Sequence, residues 1–334
     1  MNKIPAHLNY PTITPVPETI PRPLWSVIIP TYNCADLLRE TLKSVLPQDP
    51  GSDAMQIEIV DDVSTKDDPE AVVQELGKGR VSFFRQPQNA GPQANFTTCI
   101  QRAKGQLVHI LHGDDTVLPG FYSRMQEIFD KEPTIGAAFC RASVIDEEGQ
   151  LLRLTQLVSS TAGILPNWLE RIAIVNQITF PSIVVRRRVY EELGGFHPEL
   201  IHTSDWDMWK RIAVHHPVWY EPEPLAGYRV HTASDTSRLM RSGANVADIR
   251  RSIEISQSYL PTAIAAKLSN RAREQEAFTA FTTARGMLAK GDIVAAIAQI
   301  REALKCDHSF KVVRSMPLIL AGLRDETLGN ATVP

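Results

Sequence analysis

Two adjacent carboxylates, Asp114 and Asp115, follow the apolar run Leu107–Leu111 and precede Pro119 and Gly120. Neighbouring like charges repel unless a cation or hydrogen-bond donors neutralise them. A hard divalent ion such as Mg2+ is commonly held by one or two carboxylates together with substrate phosphates. A solvated Asp-Asp turn is the other use of such a pair, because Asp is a favoured turn residue. A second acidic group, Asp61-Asp62, closes the run Gln56–Val60, with Ser64, Thr65, Asp67 and Asp68 in the loop beyond it. A third, Asp205, opens the stretch Ser204–Ala213, where the exposed N–H groups of a helix start favour an anion. A plain helix N-cap is the alternative there. Arg229 and His231 follow in Tyr228-Arg-Val-His231, ahead of Ser234 and Ser237.

Bringing these groups together is the work of alternating strands and helices. Trp25–Asn33 is a short apolar run ended by Pro30 and reads as a buried parallel strand. Asn33 or Asp36 is expected to cap the next helix, in which Leu37, Leu38, Thr41, Leu42 and Val45 recur at helical spacing. Further strands are expected at Gln56–Val60, Val81–Arg85, Leu107–Leu111, Ala137–Val144 and Ile183–Val185. Pro92 suits a helix's first turn and Gly105 its C-terminal end, and Arg188–Leu193 reads as a helical turn closed by Gly194-Gly195. The strand, helix, strand order calls for right-handed crossovers and a mostly parallel sheet, with ligands at the carboxyl ends of the strands. Ser204–Ala213 has the spacing of an amphipathic helix, with Trp206, Trp209 and Ile212 or Ala213 on one face and Lys210 and Arg211 away from it. From about Asn245 the chain turns to helices rich in Ala, Leu and Ile. The clearest unit is an αα-hairpin, Glu276–Lys290 and Ile293–Lys305 around Gly291-Asp292. The expected organisation is an extended Pro-rich leader over 1–24, an α/β domain over 25–240 and a helical region over 245–330.

The 334 residues are enough for a full core and about two domains. A net charge of -3, without a clustered Lys/Arg surface, argues against a nucleic-acid partner. Four scattered cysteines without Cys-x-x-Cys spacing suggest free thiols in a reducing cytosol. The leader has no uninterrupted apolar segment, so it reads as neither signal peptide nor anchor, and extended or disordered chain is expected there. Between Arg250 and Arg314 stand eleven basic and six acidic residues, a solvated helical face or a weak peripheral contact with an anionic membrane.

Six stretches, in order and spacing, resemble glycosyltransferase family 2, over about residues 25 to 240. The resemblance implies a GT-A fold and an inverting transfer from a nucleotide sugar. Val27-Ile-Ile-Pro-Thr-Tyr-Asn33 is similar to the family's first strand and donor-site entrance, giving Pro30, Thr31, Tyr32 and Asn33 to the donor. Thr31 and Tyr32 are then expected to contact the base. Val60-Asp-Asp-Val-Ser64 resembles the Val-Asp-Asp-Gly-Ser element, so Asp62 is expected to accept a hydrogen bond from the base, with Val63 in place of Gly. Asn89-Ala-Gly91 matches a donor-site turn, though the Arg often found after it is absent and Phe96 lies nearby. His112-Gly-Asp-Asp115 resembles the Asp-x-Asp metal motif, with His for the first Asp. Asp114, supported by Asp115, is expected to hold Mn2+ or Mg2+ against the diphosphate, and His112 either bonds the ribose or packs. Ser204-Asp-Trp206 resembles the Glu-Asp-Trp element, making Asp205 the general base and Asp207 structural. Tyr228-Arg-Val-His231 resembles the closing Tyr-Arg-x-His, where Arg229 and His231 approach the diphosphate or its metal.

The implied donor is a UDP-, GDP- or dTDP-sugar, and the acceptor a glycan, lipid-linked or protein hydroxyl in the cytoplasm or at the inner membrane face. A nucleotidyltransferase would carry a Gly-rich basic loop where Thr31-Tyr-Asn-Cys-Ala35 stands. Dinucleotide and P-loop enzymes lack their glycine signatures here. A non-catalytic binding or scaffold relative is the remaining alternative.

Overall fold

The computed structural model describes residues 9–231 and 235–323. Ser234, residues 1–8 of the leader and residues 324–330 of the helical region therefore lie outside the described residues.

The strands are β1 (Trp25–Thr31), β2 (Met55–Asp61), β3 (Ser82–Arg85), β4 (Leu107–Ile110), β5 (Thr116–Val117), β6 (Ala137–Ile145), β7 (Leu151–Leu154), β8 (Gly163–Ile164), β9 (Ile183–Arg186) and β10 (Val218–Arg229). They form one sheet in the order β3-β2-β1-β4-β9-β6-β10-β5, with β7 on β6 and β8 on β10. β1 pairs in parallel with both β2 and β4, and β10 pairs in parallel with β6. β9 runs antiparallel between β4 and β6. Every residue of β1 is buried, as a strand covered on both faces requires. Its alternation divides the core: Val27 and Ile29 pack with Leu38, Leu42 and Val45 on one side, while Ile28 packs with Ile100, Val189 and Trp209 on the other.

The helices are α1 (Ala35–Val45), α2 (Pro69–Gly77), α3 (Pro92–Arg102), α4 (Phe121–Lys131), α5 (Trp168–Ile172), α6 (Arg187–Leu193), α7 (Ser204–His215), α8 (Asp235–Ser242), α9 (Ala244–Gln257), α10 (Thr262–Ala289), α11 (Ile293–Cys306) and α12 (Phe310–Leu320). Neither expected cap serves α1. Its N-cap position is Cys34, and the Ala35 N–H is taken at 2.8 Å by Asp67 Oδ2 from the β2–α2 loop. α3 ends at Arg102, ahead of Gly105. Gly105 serves instead where a Cβ would come within 2.5 Å of Ser26 N, so close strand approach, not a helix cap, requires glycine.

α7 departs most from its expected pattern. Lys210 and Arg211 do not face solvent: both are 0% exposed. Arg211 bonds Asp207 Oδ2 at 3.0 Å and the carbonyls of Leu193 and Gly195 at 2.7 Å each, and Lys210 reaches Ser252 Oγ at 2.9 Å. Buried charges are tolerated because each has partners. Two outer segments supply the remaining contacts. From the N-terminal side, Tyr10 donates to Asp207 Oδ1 and lies over the Arg211 guanidinium, and Ile13 enters the core. From the C-terminal side, Tyr259 donates to Asp207 Oδ1, and Ile253 and Ala272 join the same core. A smaller core, around Phe278, Phe281, Ala303 and Val312, joins α9 to α12. Among the described residues no helix is long and apolar enough to cross a membrane.

Candidate active site

The carboxyl ends of β1, β2 and β4 open side by side. Asp62 N donates to Thr31 O at 2.9 Å, and Gly113 N to Pro30 O at 3.1 Å, so three acidic or polar loops leave the sheet at one edge. Thr31 is buried with its hydroxyl on Ile29 O, whereas Tyr32 exposes 51% of its surface. Asn33 adopts φ +52 and its side-chain oxygen accepts from Thr65 N and Lys66 N, tying the first loop to the second.

Asp61 and Asp62 divide the work of that second loop. Asp61 faces inward to Ser64 and Arg85. Asp62 accepts from Ala90 N at 2.7 Å and Gly91 N at 2.9 Å, while Asn89 Nδ2 donates to Asp62 O at 2.8 Å. Burial pushes the Asp62 carboxyl up, and those two N–H groups oppose it. Asp62, Asn89 and Gly91 are thereby assembled into one clamp at the entrance to α3. Val63 between them takes φ +63.

The third loop holds the densest charge. His112, Asp114 and Asp115 place one potential ligand atom each within 4.8 Å of one another. Asp115 Oδ1 accepts from Arg229 N at 2.9 Å, and its buried Oδ2 has no hydrogen-bond partner. Burial and then the Asp114 charge push Asp115 well up. Burial is the largest single influence on Asp114 and pushes it up, but the His231 hydrogen bond, at 3.1 Å, together with the electrostatic pull of both neighbouring histidines and a backbone N–H, holds that carboxyl down. Two carboxylates, one with a buried oxygen lacking a donor, are a donor set a hard divalent cation satisfies. His112 lies stacked on Phe96 and tilted against Phe180, and burial lowers its pKa, so it is kept neutral.

β10 brings the last two groups. Pro222 and Pro224 accompany shifts in its register with β6, after which its end pairs antiparallel with β5 and delivers Arg229 and His231 beside Asp114. The Arg229 guanidinium is held by Asp114 O at 2.8 Å, the carbonyls of Asp146 and Glu147, and Glu40. It therefore braces the His112–Asp115 loop against the β6–β7 turn.

Asp205 stands in the first turn of α7. Its Oδ1 accepts from Trp206 N at 2.6 Å and its Oδ2 from Asn176 Nδ2 at 3.1 Å. Burial raises it to about 6 against these hydrogen bonds. The Tyr228 phenol, pushed up first by burial, also feels the charges of Asp115, Asp114 and Asp205, so Tyr228 lies within electrostatic reach of each of them. Gln93 Nε2 of α3 donates to Ile201 O at 3.0 Å, linking the Asp62 side to the loop that enters α7.

The sequence reading missed Glu40, Asn176 and Asp248. Nothing local marks the first two. Asp248 and Ser252, four apart among Val246, Ile249 and Ile253, are polar residues on the apolar side of α9, a pattern that signals buried hydrogen-bond work.

The description of Glycosyl transferase family 2 matches residues 26–194, half of the chain, and spans the three loops at the sheet edge. The chain belongs to that family. Within this glycosyltransferase setting, it is 29% identical over 243 residues to the uncharacterized protein MT1568 of Mycobacterium tuberculosis (strain CDC 1551 / Oshkosh), covering 69% of this chain and 74% of that one. To an uncharacterized glycosyltransferase of Rickettsia felis it is 28% identical over 231 residues, covering 67% of this chain and 37% of the longer relative. Among solved structures, S. aureus TarS 1–349 in complex with UDP-GlcNAc superposes with a TM-score of 0.60 at 16% identity, over 88% of this chain and 86% of that one. The mannosyltransferase PcManGT of Pyrobaculum calidifontis, in complex with GDP-Man and Mn2+, gives 0.56 at 18% identity, over 95% and 85%. At such identities the likeness is one of fold, and that fold is GT-A: a mostly parallel sheet flanked by helices.

Proposed function

We propose that this glycosyltransferase transfers a sugar from a nucleoside-diphosphate sugar to an acceptor hydroxyl by a single, inverting displacement. The observation that carries the reading is the His112–Asp114–Asp115 cluster at the strand ends of a glycosyltransferase sheet, with Asp205 held at the start of α7 by Trp206 N and Asn176 and raised to about 6. A half-buried carboxylate tuned toward neutrality is a competent base for an alcohol held against it.

In this reading Tyr32 and the Asp62–Asn89–Gly91 clamp line the nucleotide end, with Pro30, Thr31 and Asn33 shaping its floor. Asp114, with Asp115 and His231, would hold Mn2+ or Mg2+, and Arg229 keeps Asp114's loop in register. When bound, such an ion stabilises negative charge developing on the leaving diphosphate. Asp205 takes the hydroxyl proton as the acceptor oxygen attacks the anomeric carbon from the opposite face. TarS with UDP-GlcNAc and PcManGT with GDP-Man and Mn2+ support a sugar-nucleotide donor and a divalent ion. The acceptor class is a glycan, lipid-linked or protein hydroxyl. The setting is the cytoplasm, with weak peripheral membrane contact through the basic helical region.

The test is incubation with labelled UDP-, GDP- and dTDP-sugars and Mn2+, following release of the nucleotide with and without candidate acceptors. Metal-dependent turnover of one donor is the expected result. Asp205→Asn should retain nucleotide and metal binding while turnover falls by about two to four powers of ten, the range for loss of a general base. Full activity of that variant would remove Asp205 from the mechanism.

A further inference from the structure

The loop that leads into α7 is held from outside the region that matches the family. Asp248 of α9 accepts from Ile201 N at 3.1 Å with Oδ1, and from His202 N at 2.9 Å, Thr203 N at 2.8 Å and the Thr203 hydroxyl at 2.8 Å with Oδ2. Four donors thus converge on one buried carboxylate. Thr203, the N-cap residue of α7, makes no side-chain cap to its own helix, because its hydroxyl is given to Asp248. The usual local cap has been exchanged for a long-range one.

Helix α9 is a firm platform for this grip. One turn beyond Asp248, Ser252 receives Lys210 Nζ of α7 on both its carbonyl and its hydroxyl, at 3.2 and 2.9 Å, and Lys210 lies 4.0 Å from the Trp206 ring. The two helices are therefore pinned at two heights. Ile201 is gripped on both sides: its N–H by Asp248 and its carbonyl by Gln93 of the donor-side helix α3. Residues 201–203 form a strut between the nucleotide clamp and the start of α7.

Asp205 depends on that strut. One of its oxygens takes the Trp206 N–H of the first helical turn, so the carboxylate turns with the helix start. A shift of about 1 Å at a reacting group costs on the order of a hundredfold in rate. We propose that Asp248 is a positioning residue for the transfer reaction, fixing residues 201–203 so that Asp205 keeps its aim. The proposal rests on the base assignment above, and it makes α9 part of the catalytic unit.

The test uses the full chain with Asp248→Asn, Thr203→Val, Asp205→Asn and the double variant Asp205→Asn/Asp248→Asn. An amide in place of the carboxylate presents an NH2 group to at least one of the N–H donors, so part of the grip is lost without a change of size. Thr203→Val removes a single donor and keeps the variant set informative where Asp248→Asn folds poorly. Hydrogen exchange at amides 201–206 should quicken by about tenfold, with β1 to α3 unchanged, since local opening is read separately from global unfolding. With Mn2+ and the donor found in the panel above, kcat should fall by about ten- to a hundredfold at an unchanged donor KM. In the Asp205→Asn background the same substitution should change turnover less than about twofold, the non-additivity expected of residues acting as one unit. Unaltered exchange at 201–206, or an equal loss of turnover with and without Asp205, overturns the proposal. Silence of Asp205→Asn alone overturns the base assignment instead, and the exchange data still decide whether Asp248 holds the strut.

Discussion

Val63 is a β-branched residue at φ +63, a conformation in which an L side chain crowds the following carbonyl at a cost of about 1–2 kcal/mol. Glycine there removes that strain and adds back about 0.5–1 kcal/mol of unfolded-state freedom. Val63→Gly is therefore expected to stabilise the fold by about 0.5–1 kcal/mol in a urea titration, with the Asp62–Ala90–Gly91 clamp intact. A lower midpoint would show that the Val63 side chain is worth more than its strain. Asp205 gives a second prediction at this scale. The base must be ionised to accept a proton, and burial holds its pKa at about 6. Turnover should thus be flat above that point and fall about tenfold per pH unit below it, the slope of a single essential group. An acid limb centred near the ordinary Asp value would contradict the half-buried setting of this carboxylate.

Helix α7 shows what an element's sequence discloses and what it hides. Its length and its Trp206–Trp209–Ile212 face follow from helical spacing, yet Lys210 and Arg211 are buried because their partners come from Leu193, Gly195, Ser252 and the Asp207 turn. No periodicity encodes partners as distant as Leu193, Gly195 and Ser252, although the Asp207–Arg211 pair lies within the helix. Arg211→Met should cost about 3–5 kcal/mol by equilibrium unfolding, because it strands the Asp207 carboxylate in the core. A loss under about 1 kcal/mol would mean that Tyr10 and Tyr259 suffice for Asp207. The central strands were legible for the opposite reason: β1, β2 and β4 are short runs rich in Val, Ile and Leu that lead directly into Asn33, Asp62 and Asp114, so strand and site share one short signal. β10 was not among the expected strands, and only the Tyr228–His231 motif at its end stood out. Its Glu221-Pro-Glu-Pro224 stretch argues against a central strand, and the sheet accommodates it by slipping register there. The α1 cap was misassigned because Asp67 reaches it from 32 residues away.

Across the whole molecule, the contacts that complete the fold join chain segments far apart. Residues 9–24 contain no helix or strand, yet Ile13 is 1% exposed, Gly195 N donates to Pro11 O at 2.7 Å and Arg187 Nη2 to Thr14 O at 3.0 Å. Ile13→Ala is expected to destabilise the chain by about 2–4 kcal/mol, as for other core truncations, while nucleotide affinity stays unchanged. Loss of nucleotide binding in a fully folded Ile13→Ala variant would instead connect this strap to the donor site. The strap also has a consequence for biosynthesis. Tyr10 to Thr14 are made well before the groups they meet: the guanidinium groups of Arg187 and Arg211, the Gly195 N–H and the Asp207 carboxylate all come from residues 187 to 211. At about 5–20 residues per second, a ribosome needs roughly 10–40 s to produce those partners. Throughout that interval an isoleucine destined for the interior waits in water, and a stall in translation before Arg211 emerges leaves the strap without its anchors.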